Sequence, residues 1–174
     1  MATHRIPIAI LRSDSGVPLD LISNQITAVA APSIGSLLAY VLADGGSDEG
    51  VYVVFDVPQN YVGTPKLVVK GVLDGAPGAS DTLGFGFRKR AYANNESADG
   101  AFDAEQTVSE TIGSGGTAHS DEDGYEKSIT LTAADYAVGD TVAGYLFIDA
   151  SGTTYAGNFL LPSDAGLFFE YSDA

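Results

Sequence analysis

Residues 51–73 read Val51-Tyr-Val-Val-Phe-Asp-Val57, Pro58-Gln-Asn-Tyr-Val-Gly-Thr-Pro65 and Lys66-Leu-Val-Val-Lys-Gly-Val-Leu73. Both flanking runs alternate with period 2. Val51, Val53, Phe55 and Val57 share one face, and Tyr52, Val54 and Asp56 the other. Leu67, Val69 and Leu73 oppose Lys66, Val68, Lys70 and Val72. Alternation of this kind predicts β-strands in an antiparallel sheet with at least one buried face.

The pattern continues outward. Thr82 to Ala93 places Leu83, Phe85 and Phe87 on one face, with Gly84 and Gly86 opposite, where backbones approach closely. Gln106 to Ile112, Tyr125 to Thr132, Thr141 to Asp149, Thr154 to Leu161 and Gly166 to Tyr171 read as further strands. Ala133 to Tyr136 suits one helical turn, and no long 3.6-residue period occurs. Some eight to ten short strands at regular spacing predict a sandwich or barrel. Val142, Leu146 and Ile148 occupy one face of their strand, yet Tyr145 and Phe147 occupy the other. A strand apolar on both sides is covered on both sides. The cover is either the N-terminal segment of the same chain or a neighbouring subunit, where aromatic residues are enriched.

Residues 1–45 read as an N-terminal arm with short strands, and 46–174 as the β-sandwich body. Ile6 to Leu11 is a candidate strand, confined to an edge by Pro7. Asp14-Ser-Gly-Val-Pro18 is a turn cluster, Leu37 to Ala43 a buried strand, and Asp44 to Gly50 a loop. A chain of 174 residues makes one domain with an appendage and buries roughly 70% of its unfolded surface, enough for a core without staples. It has no cysteine, which excludes disulfides and thiolate metal sites. No apolar run is long enough for a signal-peptide core or a membrane span, so a soluble chain without an export signal is expected.

Eight basic residues face 23 acidic ones, a formal net charge of -15. Such a surface repels nucleic acid and anionic membranes. Arg5, Arg12, Asp14 and Asp20 balance within residues 1–43, so the whole excess lies in 44–174.

Chemistry is sparse. His4 lies in the arm and His119 in the polar loop Ala118 to Asp123, and both read as solvated. There is no Gly-x-Ser-x-Gly elbow, and Gly113 to Gly116 lacks the Lys-Ser/Thr of a phosphate loop. Asp14-Ser15-Gly16 reads as a turn without a second copy. The 23 carboxylates offer too many pairs for any one to be informative. Asn95 to Gly100 matches the start of a calcium loop, but its twelfth position is Gln106 where a bidentate Glu is required. Asp121 to Asp123 reads as a solvated acidic loop, and Asn95-Glu96-Ser97 as a chance sequon. Arg88, Lys89 and Arg90 alternate along a strand and pair with carboxylates on this reading, too small a basic face for nucleic acid. No catalytic residue, cofactor or metal is expected.

Phe55-Asp-Val-Pro-Gln-Asn-Tyr-Val-Gly63, the strand Lys66 to Leu73, Phe102 to Thr111 and Gly139-Asp-Thr-Val-Ala-Gly-Tyr-Leu-Phe-Ile-Asp149 resemble a family of small jelly-roll structural proteins of tailed bacteriophages. There a VP-x-x-Y/W-x-G corner joins two strands, and a Gly-Asp turn opens a long strand ending in Arg-Asp or Asp. Here that strand ends Ile148-Asp149, without the Arg. The resemblance spans about residues 50–172, and the arm matches no family. It implies an eight-stranded antiparallel jelly roll, commonly trimeric, that decorates or cements capsids or forms head-fibre and tail parts, with no active site. The expected function is therefore decoration or cementing of the capsid exterior, as a homotrimer bound to the major capsid protein through the neutral N-terminal arm, which would add strands to a neighbouring subunit or lie on the shell beneath it. The alternative is a tail-fibre or carbohydrate-binding module, marked by exposed Tyr beside carboxylates at a loop end; an enzyme is a third, unfavoured reading. Candidate interface residues are Ile6, Ile8, Ile10, Leu37 and Leu38 of the arm, with Tyr145 and Phe147. Tyr61 reads as a packing residue of the corner.

Overall fold

The computed structural model describes residues 2–13, 27–31, 35–43, 48–162 and 165–173. The expected turn at Asp14 to Pro18 and most of the loop after Ala43 lie outside them. Twelve strands form among the described residues: β1 (Thr3–Pro7), β2 (Ala9–Ser13), β3 (Thr27–Ala31), β4 (Gly35–Ala43), β5 (Glu49–Asp56), β6 (Tyr61–Asp74), β7 (Thr82–Tyr92), β8 (Gln106–Thr111), β9 (Gly124–Thr130), β10 (Thr141–Ile148), β11 (Asn158–Pro162) and β12 (Leu167–Asp173). A single 3-10 turn spans Ala133–Asp135.

Two antiparallel sheets result. One runs β1-β12-β6-β11-β4-β3 with β9 on the other edge of β6, and the second runs β2-β5-β10-β7-β8. Within them, β4-β11-β6-β9 faces β5-β10-β7-β8, and successive strands alternate between the sheets except β7 and β8, which pair in the second. That order is an eight-stranded jelly-roll sandwich. The stretch that opens the sequence reading is therefore a corner and not a hairpin: β5 and β6 lie in opposite sheets. β11 and β12 pair in turn with the long strand β6. Pro65 lies inside β6, where the pairing with β12 shifts register between Glu170 and Ser172; such an irregularity tolerates a residue without an N–H.

Alternation dictates the core. Val51, Val53 and Phe55 face Leu67, Val69 and Leu73 across the sandwich, and all are buried. Ring contacts sew the sheets together: Phe55 to Phe169 at 5.0 Å and Phe85 to Phe159 at 5.1 Å between centroids. At full burial each such side chain contributes about 1.5–3 kcal/mol.

The segment read as an arm supplies β1 to β4. The candidate strand at Ile6 to Leu11 is split at Ile8. β1 lies on β12 in one sheet and β2 on β5 in the other. The Ile8 amide donates to the Leu167 carbonyl at 3.0 Å where the chain changes sheets. The expected strand at Thr154 starts later, at Asn158, because the Thr154 and Tyr155 amides both donate to the Thr82 carbonyl.

In β10, Leu146 and Ile148 enter the core, while Phe147 on the outer face is 0% exposed. Gly86 is directly opposite Phe147, and a Cβ there would overlap the Phe147 ring. On the inner face the relation reverses: a Cβ at Gly144 would stand 2.5 Å from the Phe87 ring.

The edges β8 and β9 belong to different sheets and are clamped by Glu110. It accepts hydrogen bonds from the Tyr125 hydroxyl at 2.7 Å and the Lys127 ammonium at 2.5 Å. Burial pushes the Glu110 carboxyl up, but the bonds from Lys127 and Tyr125 outweigh it and hold it below the usual range. A depressed folded pKa stabilises the fold above the unfolded value, about 4.3, and that stability is lost as pH falls through the folded value. Glu110→Gln is thus expected to lower unfolding stability by about 1–2 kcal/mol at pH 7. The penalty should shrink toward zero below about pH 4; urea titrations of both proteins across pH measure it.

Candidate functional site

Three connections meet at one end of the sandwich: the turn at 57–60, the β7–β8 loop at 93–105 and the β9–β10 loop at 131–140. Backbone bonds fix the first to the third. The Val57 amide donates to the Asp140 carbonyl at 2.8 Å, and the Gly139 amide to the Val57 carbonyl at 3.0 Å. The Thr141 hydroxyl donates to Asp56 at 2.7 Å. Gly139 has φ +83, a conformation that favours glycine. Tyr61 packs on Phe169 and Tyr171, and its hydroxyl donates to the Gly63 carbonyl at 2.8 Å. It is buried and serves the corner as a packing residue.

The second loop is joined to the third through β7. Lys89 continues the inward face of Phe85 and Phe87, and its side chain is 2% exposed. Its ammonium meets Asp103 at 2.5 Å and Asp135 at 3.0 Å, and lies 5.0 Å from the centroid of the Tyr136 ring. The Lys89 carbonyl also accepts from the Asp103 amide at 2.8 Å. One buried cation thus holds two loops in place. Burial, then the nearby Asp135 and Asp103, drive the Tyr136 phenol far above its ordinary range. The Tyr136 hydroxyl is buried without a hydrogen-bond partner.

Arg90 organises the stretch that matches a calcium loop. Its guanidinium donates to the Ser97 carbonyl at 3.0 Å and lies against Gly100. Glu96 turns inward to accept from the Ala93 amide at 2.9 Å, and the Ser97 hydroxyl accepts from the Asp99 amide. Among the described residues no group of three or more His, Asp or Glu is placed to hold a metal ion. Arg88 completes the basic run by binding Glu105 at 2.8 Å and Asp48 at 2.9 Å.

Between the second and third loops lies a polar cleft of about 300 Å³, walled by Tyr92, Asn94, Asn95 and Glu96 on one side and Gly139 and Thr141 on the other. Asn95 has φ 72. The lining sets an aromatic side chain among amides, a carboxylate and a hydroxyl. At the same end stand Phe102, 41% exposed, and Val138, 47% exposed, the two large apolar side chains exposed among the described residues.

The sequence candidates are distributed differently. Ile8 and Ile10 are buried in this chain's own core, and Ile6 packs partly against it. The alternation that singled them out directs Ile8 and Ile10 into the core, while Ile6 stays half-buried. Leu37 and Leu38 lie in β4 opposite Val29 and Ala28 of β3; their side chains fall outside the described residues. Phe147 stacks on Tyr145 at 5.4 Å and is covered by Arg88 at 4.7 Å. Tyr145, 8% exposed, also contacts the Tyr52 ring at 4.8 Å. The double-sided burial of β10 is thus met within one chain. His4 pairs with Asp173 at 3.0 Å, and His119, in the loop at the opposite end, packs on Tyr125. The cleft and the exposed pair Phe102 and Val138 escape sequence reasoning. Lys89 left a signal, because it shares the parity of Phe85 and Phe87.

Lys89→Ala is expected to cost about 3 kcal/mol through lost packing. Lys89→Met, which keeps the stem against Tyr136, should cost about 1 kcal/mol, because Asp103 and Asp135 can turn to water. Chemical denaturation of the two variants tests the difference.

No family model matches this chain, and no curated protein matches it. Among solved structures it is similar to the K3 cleaved adhesin domain of Lys-gingipain from Porphyromonas gingivalis W83, at 13% identity. The match covers 97% of this chain and 100% of that one with a TM-score of 0.39, too low to inform fold or function.

Proposed function

We propose that this chain is a structural protein of a tailed-phage virion that decorates the exterior of the head, as a homotrimer bound to the major capsid protein. The observation that carries this reading is the strand order β4-β11-β6-β9 over β5-β10-β7-β8. It is the fold that the sequence resemblance implies, and the resembling residues fall at defining places in it. Phe55 to Gly63 makes the corner between the sheets, and Gly139 to Asp149 makes the turn and central strand β10. The charge fits an outward station. A net charge of -15 keeps neighbouring particles apart over a screening length of about 8–10 Å. Attachment through a free arm is not part of the proposal, since β1 and β2 are spent on β12 and β5.

The test is direct. Mass spectrometry of purified particles should detect the chain, electron microscopy should place it in threes on the outer shell, and heads lacking it should rupture at a lower temperature. Its absence from purified heads sinks the reading.

A second reading rests on the cleft. Tyr92 beside Asn94, Asn95, Glu96 and Thr141 supports a carbohydrate-binding module of a host-attachment fibre. Selective signals on a glycan array, lost by about tenfold or more in Tyr92→Ala, would favour it; a blank array removes it.

A further inference from the structure

We infer that the loop end bearing Phe102 and Val138 is the face by which this protein grips its partner, and that the partner presents an apolar socket with a basic rim. The inference deepens the decoration reading and rests on it. Phe102 and Val138, 41% and 47% exposed, are the exposed large apolar side chains among those described. They stand on separate loops that share an anchor: Lys89 binds Asp103, next to Phe102, and Asp135, three residues before Val138. The two are presented on a braced platform, which reduces the ordering cost of binding. Exposed apolar anchors ringed by polar groups mark interaction surfaces.

Charge selects the occupant. Loops 93–105 and 131–140 hold Glu96, Asp99, Asp103, Glu105, Asp135 and Asp140 and no Lys or Arg. Arg88, Lys89 and Arg90 at the end of β7 neutralise only part of this and point into contacts of their own. An acidic rim repels nucleic acid and repels the same end of a second copy. What it complements is a protein surface with Arg or Lys around a pocket for two apolar groups.

Cosedimentation of the full chain with purified phage heads lacking it tests the assignment. Three variants are compared with wild type: Phe102→Ser with Val138→Ser, Asp99→Lys, and Ser80→Lys with Ser114→Lys at the opposite loop end. The substituted side chains are all exposed, and thermal melts confirm folding. Wild type should bind, more weakly as salt rises. The first variant should lose about tenfold or more, the level of an anchor truncation. Asp99→Lys should weaken binding and flatten its salt dependence, and the Ser80/Ser114 variant should bind like wild type. Equal binding by all, or loss confined to the Ser80/Ser114 variant, overturns the surface while leaving the decoration reading standing. No binding by wild type overturns both.

Discussion

The ring of Phe169 is the contact on which the rest depends. It sits on β12, fully buried, and touches Phe55 of β5, Tyr61 at the start of β6, Tyr136 of the β9–β10 loop and Tyr171 of its own strand. One side chain therefore links the two sheets, the corner between them and the loop that frames the cleft. Aromatic pairs at such distances add about 0.5–1.5 kcal/mol each beyond buried area. Tyr136 then carries the effect outward, because Lys89 rests over its ring and holds the two loops. The loop end is ordered from the core outward, through rings first and charges second.

The outer face of the first sheet is built on a different principle. Arg5 bonds Glu170 and Glu126, Lys66 reaches Glu170, and Lys70 reaches Glu126. Cations and carboxylates alternate across β1, β12, β6 and β9. The positions are partly solvated, so each pair contributes only about 0–1 kcal/mol. Their effect is on partner choice: a self-neutralised face gives an approaching charge little to hold. The unbalanced acid is left to the loops.

How much of this was legible depends on the range of the interaction. Strand parity is local, and it marked the inward faces of β5, β6 and β9, whereas the corner at Pro58 was read from the family resemblance. The sheet change at Ile8 was not legible, because Ile6, Ile8 and Ile10 alternate alike in one sheet or across two. The cover over Phe147 was not legible either; it requires knowing that Gly86, some sixty residues earlier, lies opposite. Lys89 was visible by parity, but its acidic partners arrive from loops on either side of two further strands. The cleft joins residues 92–96 to 139–141, and only the fold brings those together.

The reciprocal glycines of β7 and β10 act as a register code. Gly86 receives Phe147 on one face, and Gly144 receives Phe87 on the other. A one-residue slip drives a Cβ into a ring and turns the inward side chains out. A two-residue slip one way sets Arg88 opposite Phe147, whereas the slip the other way, which brings Gly84 opposite Phe147, also sets Gly144 opposite Phe87. Strands so distant in sequence meet late and sample wrong pairings on the way. With two keys cut on opposite faces of neighbouring strands, all but that one of the nearest misaligned pairings meet a side chain where a ring must sit, and the sheet proofreads most of its own assembly.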